Sequence, residues 1–130
     1  MEADVPGGNI PEPIFDPAQL QEISGGDSEF EREITSEYLV QAQGLITGIA
    51  HGLEGGDVAE IGRLAHTLKG SSRTIGAEAV ATVCAELERA AGTGDLSPAA
   101  GMLARAERAL GETRGRLADY FDSGATRRAG

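Results

Sequence analysis

One short segment of this sequence combines residue types that suit phosphoryl chemistry. Residues 65–72 read Ala-His-Thr-Leu-Lys-Gly-Ser-Ser, which puts Lys69 three positions and Gly70 four positions after His66. Residues at these spacings share one face of a helix. A neutral imidazole is a nucleophile near pH 7, and a neighbouring lysine can neutralise charge on a phosphoryl group attached to it. Gly70 would leave room for another protein to reach the ring.

The charge of this segment differs from that of the whole chain. The 130 residues contain 21 Asp and Glu but 11 Lys and Arg, a formal net charge of −10. Residues 61–76 contain Arg63, Lys69 and Arg73 and no acid, so they carry +3 and the remainder −13. We interpret this window as a basic face suited to an anion. Arg63 and Arg73 either contact the phosphoryl group or partner, or are solvated charges.

The elements that must position this segment are helices. Apolar residues recur every three or four positions over residues 30–53, 61–75, 80–91 and 103–121, and no segment alternates like a strand. Asp16-Pro17, Ser28 and Asp57 are typical helix starts, and glycine-rich stretches separate the periodic segments. The pattern predicts an all-α fold, an antiparallel up-down four-helix bundle with a short additional N-terminal helix.

The predicted domain organisation is a single bundle with two unstructured ends. Proline and glycine in residues 1–14 predict a disordered N-terminal segment, residues 15–121 the bundle, and residues 122–130 a flexible C-terminal tail. Four glycines lie inside predicted helices, where each costs up to about 1 kcal/mol relative to alanine. We have no account of them from the sequence: Gly44, Gly48, Gly111 and Gly115.

Composition excludes several classes of function. One cysteine and two histidines cannot form an internal disulfide or a structural Cys/His zinc site, so no metal site is expected. The acidic balance disfavours nucleic-acid binding, and no apolar run is long enough to span a membrane. The N-terminus lacks a signal-peptide pattern, so we expect a cytoplasmic protein. The sequence contains no glycine-rich phosphate loop followed by Lys-Ser/Thr.

Three runs of the sequence carry a family resemblance: residues 65–72, Ile75-Gly76-Ala77 and the later Cys84-Ala85-Glu86-Leu87-Glu88. They resemble the histidine-containing phosphotransfer (HPt) domains of bacterial and plant phosphorelays. The resemblance implies that His66 is phosphorylated at Nε2, that Lys69 contacts the phosphoryl group, and that Gly70 keeps the approach open. It implies a receiver domain of a response regulator or a hybrid histidine kinase as partner. The receiver's aspartyl phosphate and Mg²⁺ would complete the site. The resemblance also implies that the carrier has no cofactor of its own, no ATP site and no kinase activity.

Other residues have simpler interpretations. We interpret His51 as structural or incidental, Ser71 and Ser72 as small packing residues, and Cys84 as a buried core thiol. We favour a solvated surface acid for Glu88 over the alternative that helix packing brings it to the imidazole, where it would orient the ring through Nδ1–H.

The sequence leads to two main hypotheses. The first is a monomeric phosphorelay carrier that moves a phosphoryl group on His66 between receiver aspartates. The alternative is a non-catalytic helical adaptor that docks on receiver domains or other partners. A dimeric scaffold is a third hypothesis.

Overall fold

The computed structural model describes residues 9–129, with side chains through Ser123, and this part of the chain is all-helical with no strand. Each long helix packs on the next, and the last also packs on the first long helix, which closes a four-helix bundle. The short α1 covers one end by contacting α2 and α3. The predicted fold class is confirmed. The five helices are α1 (Pro17–Ser24), α2 (Ser28–Gly55), α3 (Val58–Ile75), α4 (Glu78–Thr93) and α5 (Ala99–Ala129).

The helices begin and end close to the predicted positions. The Asp57 carboxylate accepts a hydrogen bond from the Glu60 N–H at 3.1 Å, so Asp57 is the N-cap of α3. For α2 the N-cap is Asp27 rather than the predicted Ser28, because the Asp27 carboxylate accepts hydrogen bonds from the N–H groups of Glu29 and Phe30. A glycine with positive φ follows each of the first four helices.

The core is built from aliphatic side chains and alanine. On α3 the buried residues are those that the periodicity indicates, Ile61, Leu64, Leu68 and Ile75, together with Ala65 and Ser72. Burying a side chain of Leu or Ile size stabilises a fold by about 1.5–3 kcal/mol relative to exposure. Because this stripe fixes how α3 is rotated in the bundle, the opposite face, which includes His66, is turned to solvent.

The N-terminal segment differs from its prediction. Residues 1–8 of the predicted disordered segment lie outside the described residues. Disorder is wrong for residues 9–14, because Ile14 is buried in the core and Ile10 packs against it. The Ile14 carbonyl accepts a hydrogen bond from the Ala79 N–H at 3.3 Å. The packing of Ile14 depends on contacts with residues distant in the sequence, such as Ala79, which the proline and glycine content of the segment does not indicate.

The predicted C-terminal tail also differs from the structure. Helix α5 continues through Ala129, past the predicted start of the tail at Asp122, and Gly130 lies outside the described residues. No proline occurs after Pro98, so nothing in this stretch forces the helix to end where its apolar periodicity fades. None of the described helices has an apolar stretch long enough to cross a bilayer.

Close approach of two helices explains one of the interior glycines. A Cβ at Gly48 on α2 would lie 2.9 Å from the Leu64 Cδ1 on α3, so the missing side chain lets the two helices pack closely. Gly44, Gly111 and Gly115 face open space, and nothing in the structure explains them.

Candidate functional site

His66 projects from the solvent-facing side of α3, and 69% of its side chain is exposed. Its Nδ1 atom lies 2.8 Å from the Glu88 Oε2 on α4. An ionised carboxylate can only accept hydrogen bonds, so Nδ1 carries the proton in this contact. In the neutral ring the lone pair is then on Nε2, which makes no hydrogen bond to any residue of the described chain.

Glu88 also binds Lys69. The Lys69 Nζ lies 2.6 Å from the Glu88 Oε1, so the two carboxylate oxygens hold two different partners. The hydrogen bond from Lys69 is the largest cause that lowers the pKa of the Glu88 carboxyl below its ordinary value. Burial opposes it, and the hydrogen bond from His66 lowers the pKa further. Glu88 is therefore ionised at neutral pH and links α4 to His66 and Lys69 on α3.

The interpretation of Glu88 as a solvated surface acid is wrong, and the alternative placement beside the imidazole is the one observed. Its side chain is 31% exposed and fully engaged by His66 and Lys69. The sequence alone does not show this placement, because the two contacts depend on how helices α3 and α4 pack across the turn at Gly76. One feature of the sequence indicates the placement beside His66. Glu88 lies four residues after the buried Cys84 and so on the side of α4 that packs on α3.

The basic face has less free charge than the sequence window indicates. Arg63 forms a two-point ion pair with Glu60, in which the Nη2–Oε2 distance is 2.8 Å. Glu60 is one position before the window, and Glu88 is on another helix, so counting residues 61–76 alone omits both counter-charges. Arg73 is exposed and has no ion pair with another described side chain. The predicted +3 face is therefore largely paired, and Arg73 is its unpaired cation.

Gly70 leaves an open surface beside His66. A Cβ built at this position meets no atom of the described chain within 4 Å. Packing inside the bundle therefore does not require a glycine here, and the surface at position 70 is open.

The remaining candidates are placed as follows. Ser72 is buried, and its Oγ lies 2.6 Å from the Tyr38 hydroxyl, while the Ser71 hydroxyl donates to the Leu68 carbonyl. Ser72 is therefore the packing residue that the sequence predicts, whereas the half-buried Ser71 bonds only within its own helix. Cys84 is completely buried, and burial raises the pKa of its thiol to about 12, which makes it the predicted core thiol. His51 is exposed on α2, away from the α3–α4 contact.

Chemically, this arrangement offers one exposed nucleophile with an oriented ring. Nε2 faces solvent, Glu88 fixes the proton on Nδ1, and the ammonium of Lys69 lies within reach of Glu88 on the same face. Positioning and charge stabilisation are the main requirements of phosphoryl transfer. The geometry thus suits transfer of a phosphoryl group to or from a site that another protein brings to this face.

Comparisons with solved structures show the same fold. Histidine-containing phosphotransfer protein B from Pseudomonas aeruginosa is 23% identical, with a TM-score of 0.79 over 85% of this chain and 96% of its own. Yeast Ypd1 is 19% identical, with a TM-score of 0.80 over 87% and 97%. A further structure contains Saccharomyces cerevisiae Ypd1 with the receiver domain of its downstream response regulator Ssk1. It is 21% identical, with a TM-score of 0.79 over 88% and 98%.

The family comparison covers most of the chain. The model of the Hpt domain matches residues 33–120, which include α3, α4 and the whole His66 site. No curated protein sequence matches significantly. Because the match spans more than half of the sequence and contains the exposed histidine, the chain belongs to the Hpt domain family of histidine phosphotransfer proteins.

Proposed function

We propose that this protein is a phosphorelay carrier in which His66 Nε2 takes a phosphoryl group from the aspartyl phosphate of one receiver domain and gives it to the aspartate of another. The observation that carries the proposal is the contact between His66 Nδ1 and Glu88, which leaves Nε2 exposed with its lone pair. Membership of the Hpt family supports the reaction class.

The bonds and electrons of the proposed transfer balance, and no proton has to leave Nε2. The Nε2 lone pair forms a P–N bond, the P–O bond of the aspartyl phosphate breaks, and its electron pair stays on the departing carboxylate. The Nδ1 proton remains in its hydrogen bond with Glu88. In the reverse reaction the phosphoryl group passes from Nε2 to the carboxylate of an aspartate.

The other site residues have supporting roles in this proposal. Lys69 neutralises phosphoryl charge, Gly70 admits the partner, and the unpaired Arg73 contacts the phosphoryl group or the partner. Arg63 is a weaker candidate because Glu60 already occupies its guanidinium. Mg²⁺ comes from the receiver domain, and the carrier binds no ATP.

The partner in this proposal is a receiver domain, free or within a hybrid histidine kinase. Support comes from the yeast structure in which Ypd1 is bound to the receiver domain of Ssk1. We further propose a monomer that acts in the cytoplasm. For the location, support comes from the cysteine content, since a chain with one cysteine has no internal disulfide, as is usual in reducing compartments.

The test is phosphotransfer from isolated receiver domains that carry phosphate on their aspartate. The wild type is expected to form an acid-labile phosphoprotein, and His66→Gln is expected to form none. His51→Gln is the matched control, since it removes the other histidine and should accept label normally. Label on His66→Gln would refute the assignment. Tight receiver binding without any transfer to the wild type would favour the adaptor instead.

A further inference from the structure

The Glu88 carboxylate is shared between two groups that have different roles in the proposed transfer. Oε2 lies 2.8 Å from His66 Nδ1, and Oε1 lies 2.6 Å from Lys69 Nζ. Lys69 is also the less exposed of the two partners, with 20% of its side chain accessible to solvent compared with 69% for His66. In the resting protein the ammonium that should serve the phosphoryl group is therefore already paired.

We propose that phosphorylation exchanges these partners, so that Lys69 leaves Glu88 for the phosphoryl oxygens while Glu88 stays as the counter-ion of the phosphorylated ring. This inference rests on the proposed function and deepens it. It makes Glu88 a positioning residue that acts through His66 and sets how long the phosphorylated protein lasts.

The charge balance of the transfer leads to this role. Attack by the neutral ring leaves Nε2 bonded to phosphorus and Nδ1 still bonded to its proton, so the product ring is cationic. An ionised carboxylate at hydrogen-bond distance stabilises this cation more than a neutral acceptor would. Meanwhile the new phosphoryl charge attracts the nearest ammonium, which belongs to Lys69 on the same helix face.

The exchange has a consequence for the lifetime of the P–N bond. When this bond breaks, its electron pair goes to Nε2, and a cationic ring leaves as a neutral imidazole without needing another proton. By keeping the ring protonated, Glu88 makes the phosphoryl group easier to pass on to an aspartate and also to water. A neutral acceptor at position 88 would give a longer-lived phosphoprotein.

The other charged groups around the ring do not replace Glu88. On α3, Arg63 is paired with Glu60, and Arg73 carries the same sign as the cationic ring. On α4, the thiol of Cys84 is neutral at physiological pH because burial raises its pKa. Glu88 is the acid that the structure pairs with the imidazole.

The experiment compares the wild type with Glu88→Gln after chemical phosphorylation by phosphoramidate, which releases ammonia and needs no receiver. Both proteins carry His51→Gln, so that His66 is the remaining histidine. Glutamine still accepts the Nδ1 hydrogen bond but lacks the charge. We expect the same Nδ1–H tautomer by ¹⁵N NMR and a phosphohistidine half-life about two- to fivefold longer, in line with an exposed ion pair. In the wild type, the Lys69 Nζ resonance should shift on phosphorylation.

Glu107→Gln is the matched control, since it removes one exposed acid on α5 and should leave the half-life unchanged. Equal half-lives for wild type and Glu88→Gln, or an Nζ resonance of Lys69 that does not move, would overturn the inference. Circular dichroism shows whether each variant is folded. If receivers transfer nothing while the half-lives differ as expected, the proposed function fails and the role of Glu88 stands.

Discussion

The hydroxyl groups of Tyr38 on α2 and Ser72 on α3 lie 2.6 Å apart in the core of the bundle. Both side chains are buried, and burial raises the pKa of the Tyr38 hydroxyl above its ordinary value, so it stays protonated. This hydrogen bond joins α2 to the helix that carries His66. The Glu88 contacts join the same helix to α4.

Removing the Tyr38 hydroxyl should destabilise the fold, because the Ser72 hydroxyl would be left buried without its partner. We expect Tyr38→Phe to lower the free energy of unfolding by about 1–2 kcal/mol. Adding Ser72→Ala should recover part of this loss, since it removes the orphaned hydroxyl. Urea unfolding of both single variants and the double variant measures the coupling. Strictly additive effects would show that the hydrogen bond contributes nothing.

Gly76→Ala should also destabilise the protein. Gly76 has a φ of 88°, and a Cβ there would collide with the carbonyl oxygen of Asp16. The Asp16 N–H donates to the Gly76 carbonyl at 2.8 Å, so the N-terminal segment and the α3–α4 turn are held in direct contact. We expect a loss of more than about 1 kcal/mol in thermal or urea unfolding. An unchanged midpoint would mean that the turn relaxes freely.

Gly70→Ala should have the opposite effect on stability and a separate effect on function. The position is helical and open, so alanine should raise the free energy of unfolding by up to about 1 kcal/mol. The added methyl group narrows the approach to His66, so transfer from a receiver should be slower. Stopped-flow or gel-based transfer assays on the folded variant test this. A more stable variant with an unchanged rate would show that partner access does not depend on Gly70.

The sequence was informative where local rules decide the structure. Helix periodicity and the cap at Asp57 located α3, and the spacing of His66, Lys69 and Gly70 placed them on one exposed face. Glu88 was misinterpreted because its position depends on how α3 and α4 pack, which no local pattern encodes. The burial of Ile14 was missed for the same kind of reason, since its partners are distant in sequence.

The Glu88 ion pair should make a small part of the stability depend on pH. The pKa of this carboxyl is lower in the folded protein than in the unfolded chain, so its contribution is present above the unfolded value and is lost as pH falls through the folded value. Relative to Glu88→Gln, the wild type should gain less than about 1 kcal/mol near neutral pH, and the difference should shrink in acid. Urea unfolding at several pH values between about 5 and 3, the range in which carboxyl groups titrate, checks this. A difference that grows on acidification would contradict it.

Lys69→Ala tests whether the ammonium on the His66 face acts in the transfer itself. The variant removes the charge that should neutralise the phosphoryl group, so we expect transfer from a receiver to slow by at least about tenfold. Glu88 loses one of its two partners but keeps His66 Nδ1, so the ring stays oriented and the bundle should remain folded by circular dichroism. Lys69→Arg is the control that keeps the positive charge, and it should retain more activity than alanine. Equal rates for wild type and Lys69→Ala would remove Lys69 from the mechanism, and the phosphoryl charge would then have to be stabilised by Arg73 or by the receiver alone.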